Sequence, residues 1–304
     1  MNKIEKDLLL AVADLHQVPQ GAYNLRENGK PVERHSSQNI EITPKLDKSG
    51  IDITIKPNTQ NESVHIPVII TESGVKDLVY NDFYVGENSD VLIVAGCGIH
   101  NAGDSASQHD GIHAFHIGKN AKVRYVEKHI GVGQKGDKVL NPVTQVYMEE
   151  GSYMLMETTQ LGGVSSSVRR TEGELKDNAK LVIKEKILTS DSQTAKTEFD
   201  VKLSGKNSSC EVISRSVTRD NSFQEFVSKL IGQNECFGHV ECDGILLDNS
   251  RIISTPEIVA ESTQATLIHE AAIGKIAGDQ IIKLMTLGIT EKEAEDMIIQ
   301  GFLS

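Results

Sequence analysis

Aromatic residues and positive charge are both scarce in this chain of 304 residues. Tryptophan is absent, aromatic residues make up 4% of the sequence, and 31 Lys and Arg residues are outnumbered by 43 Asp and Glu residues, for a formal net charge of −12. A chain this acidic is a poor candidate for binding nucleic-acid phosphates or an anionic membrane surface, and it has few rings on which bases could stack. We interpret the acidity as serving solubility.

Long hydrophobic runs are also missing. Residues 1–16 predict an amphipathic helix, with Ile4, Leu8 and Val12 at helical spacing, but Asp7 and Asp14 interrupt its apolar run. This segment therefore fits neither an export signal nor a membrane span. No other stretch approaches the roughly eighteen apolar residues that a span requires. We expect a soluble, cytoplasmic protein.

Cysteine occurs four times, and no Cys-x-x-Cys pair is present; the residues are Cys97, Cys210, Cys236 and Cys242. Without an export signal, disulfides are not expected, so these thiols are either buried or ligands. The sequence also contains no Walker A motif, no recognisable nucleophile–His–Asp order and no paired-carboxylate motif. We therefore expect that the chain is not an enzyme and that any ATPase it works with is a separate chain.

From Ile40 onward, short runs rich in Val, Ile and Thr alternate with polar turns, which is typical of strands. One turn motif recurs: an Asn, a small residue, a polar residue and an apolar residue. Glu150-Gly151 takes its place once, and the spacings, counted through Gly151, are 32, 31, 27, 29 and 42 residues. Asn tolerates left-handed backbone angles, so the motif suits the corner of a coil. The period favours a β-solenoid, with a large β-sandwich as the alternative. The motif begins at Asn88, Asn120, Asn178, Asn207 and Asn249.

The last part of the chain changes to a helical pattern. Gly278-Asp279 predicts the start of a helix over Gln280–Leu287, and Thr290 with Glu293 predicts a capping box for a second helix. Two helices after a β body could seal the last coil or dock a partner. We expect three regions: an N-terminal helix and linker (1–37), a β core (38–268) and a helical subdomain (269–304).

Two groups of residues could bind a metal. The first is a string of one cysteine and four histidines whose types alone suggest zinc: Cys97, His100, His109, His113 and His116. A strand over Ile112–Ile117 would however place His113 and His116 on opposite sides, so turn and edge-strand histidines remain the structural alternative. A metal-dependent enzyme or metal-binding protein that uses this string is the functional alternative for the whole chain.

The second group comprises Cys242, His269 and Glu270. His269 and Glu270 follow Cys242 by 27 and 28 residues, within the repeat interval, so the three residues could lie side by side on neighbouring coils. A lone strand cysteine is more often a packed core residue, and a strand-end histidine is usually only hydrogen-bonded. Side-chain alternation does not reveal which of His269 and Glu270 points inward.

Three motifs in this region carry a family resemblance. They are Cys242-Asp243-Gly244-Ile245-Leu246-Leu247, His269-Glu270-Ala271-Ala272-Ile273-Gly274-Lys275-Ile276, and Gly288-Ile289 with Ala294, Met297-Ile298 and Gly301-Phe302. In this order they resemble the core of the SufB/SufD family, the scaffold proteins of the SUF iron–sulfur cluster assembly system. The likeness continues more weakly back to about residue 80. Common SufB and SufD proteins are longer, so the chain resembles a compact form that serves both roles.

The resemblance implies a fold, a function and partners. The fold is a right-handed parallel β-helix. The function is that of a scaffold on which a transient iron–sulfur cluster is built from iron and sulfide, with Cys242, His269 and Glu270 as ligands, and passed to apo-proteins. The partners are a SufC-like ATPase and either a second copy or another SufB/SufD-like chain. The resemblance is weaker around the Cys97–His116 string and carries no function to it; a metal held there would be iron awaiting delivery.

Two further expectations concern individual segments. The ATPase would dock on apolar side chains of the helical end: Ile281, Leu284, Met285, Met297 and Ile298. SufB proteins that receive sulfur usually carry a cysteine in a strand that corresponds to Ser167–Thr171 here, where this chain has none. A sulfur-transfer route like theirs is therefore in doubt.

Overall fold

The computed structural model describes residues 3–13 and 21–304. The predicted N-terminal helix is present as α1 (Lys3–Ala13), and its predicted continuation to residue 16 lies outside the described residues. The strands up to residue 140 are β1 (Ala22–Glu27), β2 (Lys30–His35), β3 (Ile40–Pro44), β4 (Gly50–Ile55), β5 (Gln60–Ile70), β6 (Lys76–Val85), β7 (Asp90–His100), β8 (Ser107–Ile117), β9 (Lys122–Val132) and β10 (Lys138–Leu140).

The remaining elements complete the β body and add two helices. They are β11 (Val143–Met148), β12 (Tyr153–Leu161), β13 (Ser166–Leu175), β14 (Lys180–Thr189), β15 (Thr194–Leu203), β16 (Ser208–Thr218), β17 (Phe223–Gly232), β18 (Cys236–Leu246), β19 (Arg251–Ala260), β20 (Ala265–Gly274), α2 (Gly278–Met285) and α3 (Glu291–Phe302).

The strands form a parallel β-solenoid of about eight turns, which confirms the predicted fold over the sandwich alternative. Sheet A has the order β2-β1-β5-β7-β9-β12-β14-β16-β18-β20. Sheet B has the order β19-β17-β15-β13-β10-β8-β6-β4-β3, and β11 continues β10 between β8 and β13. Two pairs at the N-terminal end, β1–β2 and β3–β4, are antiparallel. The β1–β2 hairpin lies within the segment that the sequence suggested as a linker.

Stacked corner residues turn the chain from sheet to sheet. Four of the five predicted asparagines have φ between 54° and 57°, in the left-handed region, and pair along the stack: Asn120 Nδ2 lies 3.4 Å from Asn88 Oδ1, and Asn207 Nδ2 lies 3.3 Å from Asn178 Oδ1. The fifth, Asn249, lies at a different corner, before a strand of sheet B, and there Asp248 and not Asn249 is left-handed, with φ 56°. The repeating Asn therefore marks a real corner of the coil.

Alternation places apolar residues inside the solenoid and polar residues outside. The interior near β6 and β8 contains a stack of Phe83 on Phe115, with ring centroids 4.4 Å apart. Helix α1 covers the outer face of sheet A, where Leu8 and Val12 pack against Ile69 and Val94. The N-terminal part of the solenoid thus has a second apolar layer outside the coil.

The two C-terminal helices lie against the side of the solenoid. Thr290 and Glu293 form the predicted capping box, whereas α2 begins at Gly278 without a side-chain cap. Ile299 and Ile276 pack with Val217 on β16, so the helical end covers the outer face of sheet A. The last strands, β19 and β20, are mostly exposed, so within the described chain the helices do not seal the terminal coil.

Candidate functional site

Cys242 and His269 point into the solenoid from its last two coils in sheet A. Cys242 is fully buried on β18, and its position pairs with Ala271 of β20. His269 pairs with Val240, two residues from Cys242 and on the same face. A step of two residues along the strand and one across the ladder separates the two Cα atoms by about 8 Å. The fold therefore brings the predicted cysteine and histidine together.

The thiol of Cys242 is held in its protonated form. Burial raises the pKa of Cys242 to about 11, and the neighbouring Ser254 hydroxyl offsets only part of this effect. Only the thiolate is a good metal ligand, so a metal bound by Cys242 would displace a proton. Because Cys242 has no exposed surface, a ligand reaches it only if the terminal coil moves.

His269 carries an unused ligand atom. Its Nε2 is buried and has no hydrogen-bond partner among the described residues. Burial, and then the neighbouring His239, lower the pKa of His269, which favours the neutral imidazole that binds metals. A buried ring nitrogen without a partner is costly unless a ligand completes it.

Glu270 lies on the opposite face of β20. Its side chain is 68% exposed, and its Oε2 lies 3.5 Å from His239 Nε2. The alternation that the sequence left open is therefore resolved: His269 points inward with Leu267, which packs against the core, and Glu270 points outward. In the free chain Glu270 does not share a face with Cys242.

The terminal coil leaves backbone groups open along two strand edges. Within the described chain no strand pairs with the outer edge of β19 or β20. Pro256 lies in β19 and lacks a donor N–H, whereas β20 contains no proline. Ile268 and Ile273 are 38% and 39% exposed on β20. The β20 edge is thus the better surface for pairing with another strand.

A buried charged cluster, which sequence reasoning missed, occupies the coils between the middle of the solenoid and Cys242. Glu127 and Glu185 stand in one stacked inner column of sheet A that continues through Ser214 to Cys242. Arg169 reaches across from sheet B and pairs with Glu127, and its Nε lies 3.9 Å from Glu185 Oε1. Only the inward parity of these positions within the repeat could have revealed the cluster.

The two carboxylates of this cluster have different environments. Burial alone would raise the pKa of Glu127, but Arg169 and His129 hold it well below its usual range. Burial raises the pKa of Glu185, and Arg169 and the hydroxyl of Ser214, which donates to Glu185 over 2.8 Å, only partly offset this. Arg169 therefore neutralises mainly Glu127.

The five residues of the Cys97–His116 string do not converge. Cys97 is buried in an apolar cluster, and burial raises the pKa of its thiol well above the usual value. His116 is outside the coil, stacked between Tyr84 and Tyr147. His100 ends β7 and is half-buried, whereas His109 and His113 point into the interior. Over residues 3–13 and 21–304, no three His, Cys, Asp or Glu side chains are grouped so that they could hold a metal ion.

The five predicted docking residues of the helical end differ in exposure. Ile281 and Ile298 pack against the apolar cluster around Val217, whereas Met285 and Met297 are 42% and 53% exposed, and Leu284 is half-buried. Two further exposed apolar side chains, absent from the predicted set, are Ile282 and Leu287. Exposed apolar surface therefore remains on this end of the chain.

Comparison with known proteins covers most of the chain. A family model described as "SUF system FeS cluster assembly, SufBD core domain" matches residues 75–302. The chain is 29% identical to an iron-sulfur cluster assembly SufBD family protein of Methanocaldococcus jannaschii, over 79% of this chain and 76% of that protein. It is 28% identical to one of Archaeoglobus fulgidus, over 86% of this chain and 71% of that protein.

A third relative is longer than the region it shares with this chain. The SufBD family protein of Methanothermobacter thermautotrophicus strain Winter is 30% identical over 78% of this chain, but the match spans 58% of that protein. In the described part of this chain, no helix has the length and apolar character needed to cross a membrane.

Proposed function

Because the chain belongs to the SufBD family of the SUF iron–sulfur cluster assembly system, we propose that it is an assembly scaffold. A nascent cluster is built at the open end of the solenoid, at an interface between two copies of the chain, and is passed from there to apo-proteins. A separate SufC-like ATPase drives the movement that opens this end. The cluster is cargo and not a resident cofactor.

One observation carries this proposal: Cys242 and His269 share the inner face of the last two coils, and His269 Nε2 has no partner among the described residues. Thiolate and imidazole are suitable ligands for iron, and a mixed set releases its cargo more readily than four thiolates would. Glu270 can reach the same cluster only if the β20 edge rearranges. We therefore assign it a smaller role than His269.

A second copy supplies the missing ligands. One chain offers one thiolate and one imidazole on this face, which is too few for a cluster. Pairing of two β20 edges about a two-fold axis would satisfy the open backbone groups, cover Ile268 and bring a second Cys242 and His269 toward the axis. The same pairing explains why the terminal coil is left open by α2 and α3.

The ATPase fits the exposed apolar side chains of the helical end, which include Met285 and Met297. This end packs directly on β16 through Val217, and β16 is the neighbour of the strand that carries Cys242. A force applied to the helices is therefore transmitted to the coil that must move before Cys242 becomes accessible. Nucleotide-driven movement of the ATPase would alternately open and close the site.

The test is anaerobic reconstitution of the full chain with ferrous iron and sulfide, followed by visible absorption and by analysis of iron and acid-labile sulfide. We expect Cys242→Ser to abolish the visible absorption of the cluster and His269→Ala to reduce it strongly. Glu270→Gln should reduce it less than His269→Ala. Each variant should retain the far-ultraviolet circular dichroism of the solenoid.

Cys210→Ser is the matched control, because Cys210 is also a buried thiol on an inner face of sheet A, on the preceding coil. It should leave the reconstituted cluster intact. Undiminished iron and sulfide in Cys242→Ser, or equal losses in both cysteine variants, would contradict the proposed site.

A further inference from the structure

A second site lies inside the coil, on β8, well away from the open end. His109 and His113 both point inward and are 5% and 6% exposed, and Gly111 stands between them on the same face. A Cβ at Gly111 would be 3.3 Å from His109 Nε2 and 3.2 Å from His113 Nε2. The two Nε2 atoms therefore point at the same space and are at most about 6.5 Å apart.

The other ring nitrogen of each histidine is engaged by an oxygen. His109 Nδ1 lies 3.1 Å from Asp77 Oδ2, and His113 Nδ1 lies 2.8 Å from the Tyr125 hydroxyl. Asp77 also forms an ion pair with Arg26 over 2.7 Å, so its carboxylate accepts and His109 Nδ1 donates. In the neutral tautomers in which Nδ1 donates, both Nε2 atoms carry lone pairs. This arrangement is the one by which outer partners orient metal-binding histidines.

The space in front of the two nitrogens is a small cavity whose wall contains both polar and apolar residues. Its lining includes Asn81, which is 4% exposed and stands beside His113 in the ladder, and Glu127. Two imidazoles and a side-chain amide that line one cavity form a nitrogen and oxygen ligand set that suits a cation.

An interruption in sheet B lies directly beside this cavity. The neighbour of β8 pairs as β10 up to His109 and resumes as β11 at Ile112, so Asp110 and Gly111 have no ladder partners there. Pro142, which lacks an N–H, fills the gap and lines the cavity. The wall therefore has fewer strand-to-strand hydrogen bonds at the place where an ion would have to pass.

We propose that this cavity is a binding site for one divalent transition-metal ion, held by His109 Nε2, His113 Nε2 and the amide oxygen of Asn81, with water completing the shell. Imidazole and amide ligands suit Fe²⁺, Co²⁺ and Zn²⁺. The identification of this ion as iron, stored before cluster assembly, rests on the proposed function. The site itself does not, because its ligands are distinct from Cys242 and His269.

The test is titration of the metal-free full chain with Co²⁺, followed by visible absorption and equilibrium dialysis. We expect one Co²⁺ per chain, with nitrogen and oxygen ligands and without a thiolate charge-transfer band. The same binding should persist in Cys242→Ser, so failure of this site and failure of the proposed assembly site give different results. X-ray absorption of the cobalt-loaded wild type should count two imidazoles.

Variants on β8 locate the ion. His113→Gln should weaken Co²⁺ binding by about 100-fold, and Tyr125→Phe, which removes an outer partner, by about 10-fold. His116→Gln is the matched control on the outer face and should bind as the wild type does. Gly111→Ala should block the site, because its Cβ occupies the space between the nitrogens, whereas Gly173→Ala, an inward glycine with ordinary contacts of 3.4 Å, should not.

Circular dichroism and thermal melting show whether each variant is folded, and the imidazole count on the wild type does not depend on any variant. Sub-stoichiometric Co²⁺ in the wild type, fewer than two imidazoles, or equal binding by folded His113→Gln and His116→Gln would overturn the proposal. Normal binding by folded Gly111→Ala would overturn it as well.

Discussion

Replacing Arg169 by methionine should be far more damaging than the same change at the next residue. Arg169 is 7% exposed and pairs with Glu127, which is 2% exposed, whereas Arg170 is 60% exposed and pairs over 2.7 Å with Glu198. Methionine keeps the unbranched apolar stem in both variants and removes only the guanidinium. The comparison therefore isolates the buried cation from the exposed one.

The expected magnitudes follow from burial. Removing one partner of a buried ion pair leaves an uncompensated charge and costs about 3–5 kcal/mol, and here two carboxylates, Glu127 and Glu185, lose their cation together. An exposed pair contributes about 0–1 kcal/mol, so Arg170→Met should be close to neutral. Urea unfolding followed by circular dichroism measures both, since the chain has no tryptophan to report by fluorescence.

The pH dependence has a defined sign. In the wild type Arg169 holds the pKa of Glu127 well below its usual range, so the contribution of this pair is present above the usual Glu pKa and is lost as the pH falls through the lowered value. In Arg169→Met the carboxylates are buried without a cation, which raises their pKa values, so acid stabilises this variant relative to the wild type. The difference between the two proteins should shrink as the pH falls, first through the raised carboxylate pKa values of the variant and then through the lowered pKa of Glu127 in the wild type. Equal costs at positions 169 and 170, or a difference that stays constant with pH, would refute this reasoning.

Two further predictions concern partner surfaces. Met297→Asp should strongly reduce co-purification of a SufC-like ATPase without unfolding the β body, because it places a charge on exposed apolar surface of α3. Leu78→Asp, which also changes an exposed side chain, is the control. Equal retention of the ATPase by both variants would place the docking surface elsewhere. Ile268→Glu on the β20 edge should lower the mass measured by light scattering from about two chains to one. Val32→Glu, at the opposite end of sheet A, should leave it unchanged, and a monomeric wild type at micromolar concentration would contradict the dimer.

The architecture could be predicted from the sequence because the residues that recur along the chain are those at the corners of the coil. Asn88, Asn120, Asn178 and Asn207 mark the same corner, with Gly151 on the coil between Asn120 and Asn178, and each Asn has the left-handed backbone that favours Asn over most other residues. A second corner was missed, where Asp191, Asp220 and Asp248 are stacked in the same conformation; the backbone N–H of Asp191 donates to Asp220 over 2.8 Å. Aspartate is common in solvated loops of every kind, so its recurrence carried less weight.

The inward face of each strand could be predicted only where alternation is unambiguous. Ile112–Ile117 alternates clearly enough to separate His113 from His116, and the structure confirms that one is inside and the other outside. Alternation did not predict that Glu127 and Arg169 point inward, because a charged residue in a strand is normally assigned to the solvent side. Here each charged side chain pairs with a residue on another coil or the other sheet, and a pattern of neighbouring residues in the sequence does not predict such a contact.

The choice between His269 and Glu270 as the inward residue depends on the register of β20. A slip by one residue would exchange their faces, and β20 is an edge strand that pairs on one side only. Ten registered pairs with β18 and the contact of Leu267 with the core oppose that slip. The core thus fixes His269, rather than Glu270, beside Cys242 in the closed chain. Any rearrangement that brings Glu270 to a cluster must first detach Leu267, so engagement of the carboxylate and opening of the coil are one event.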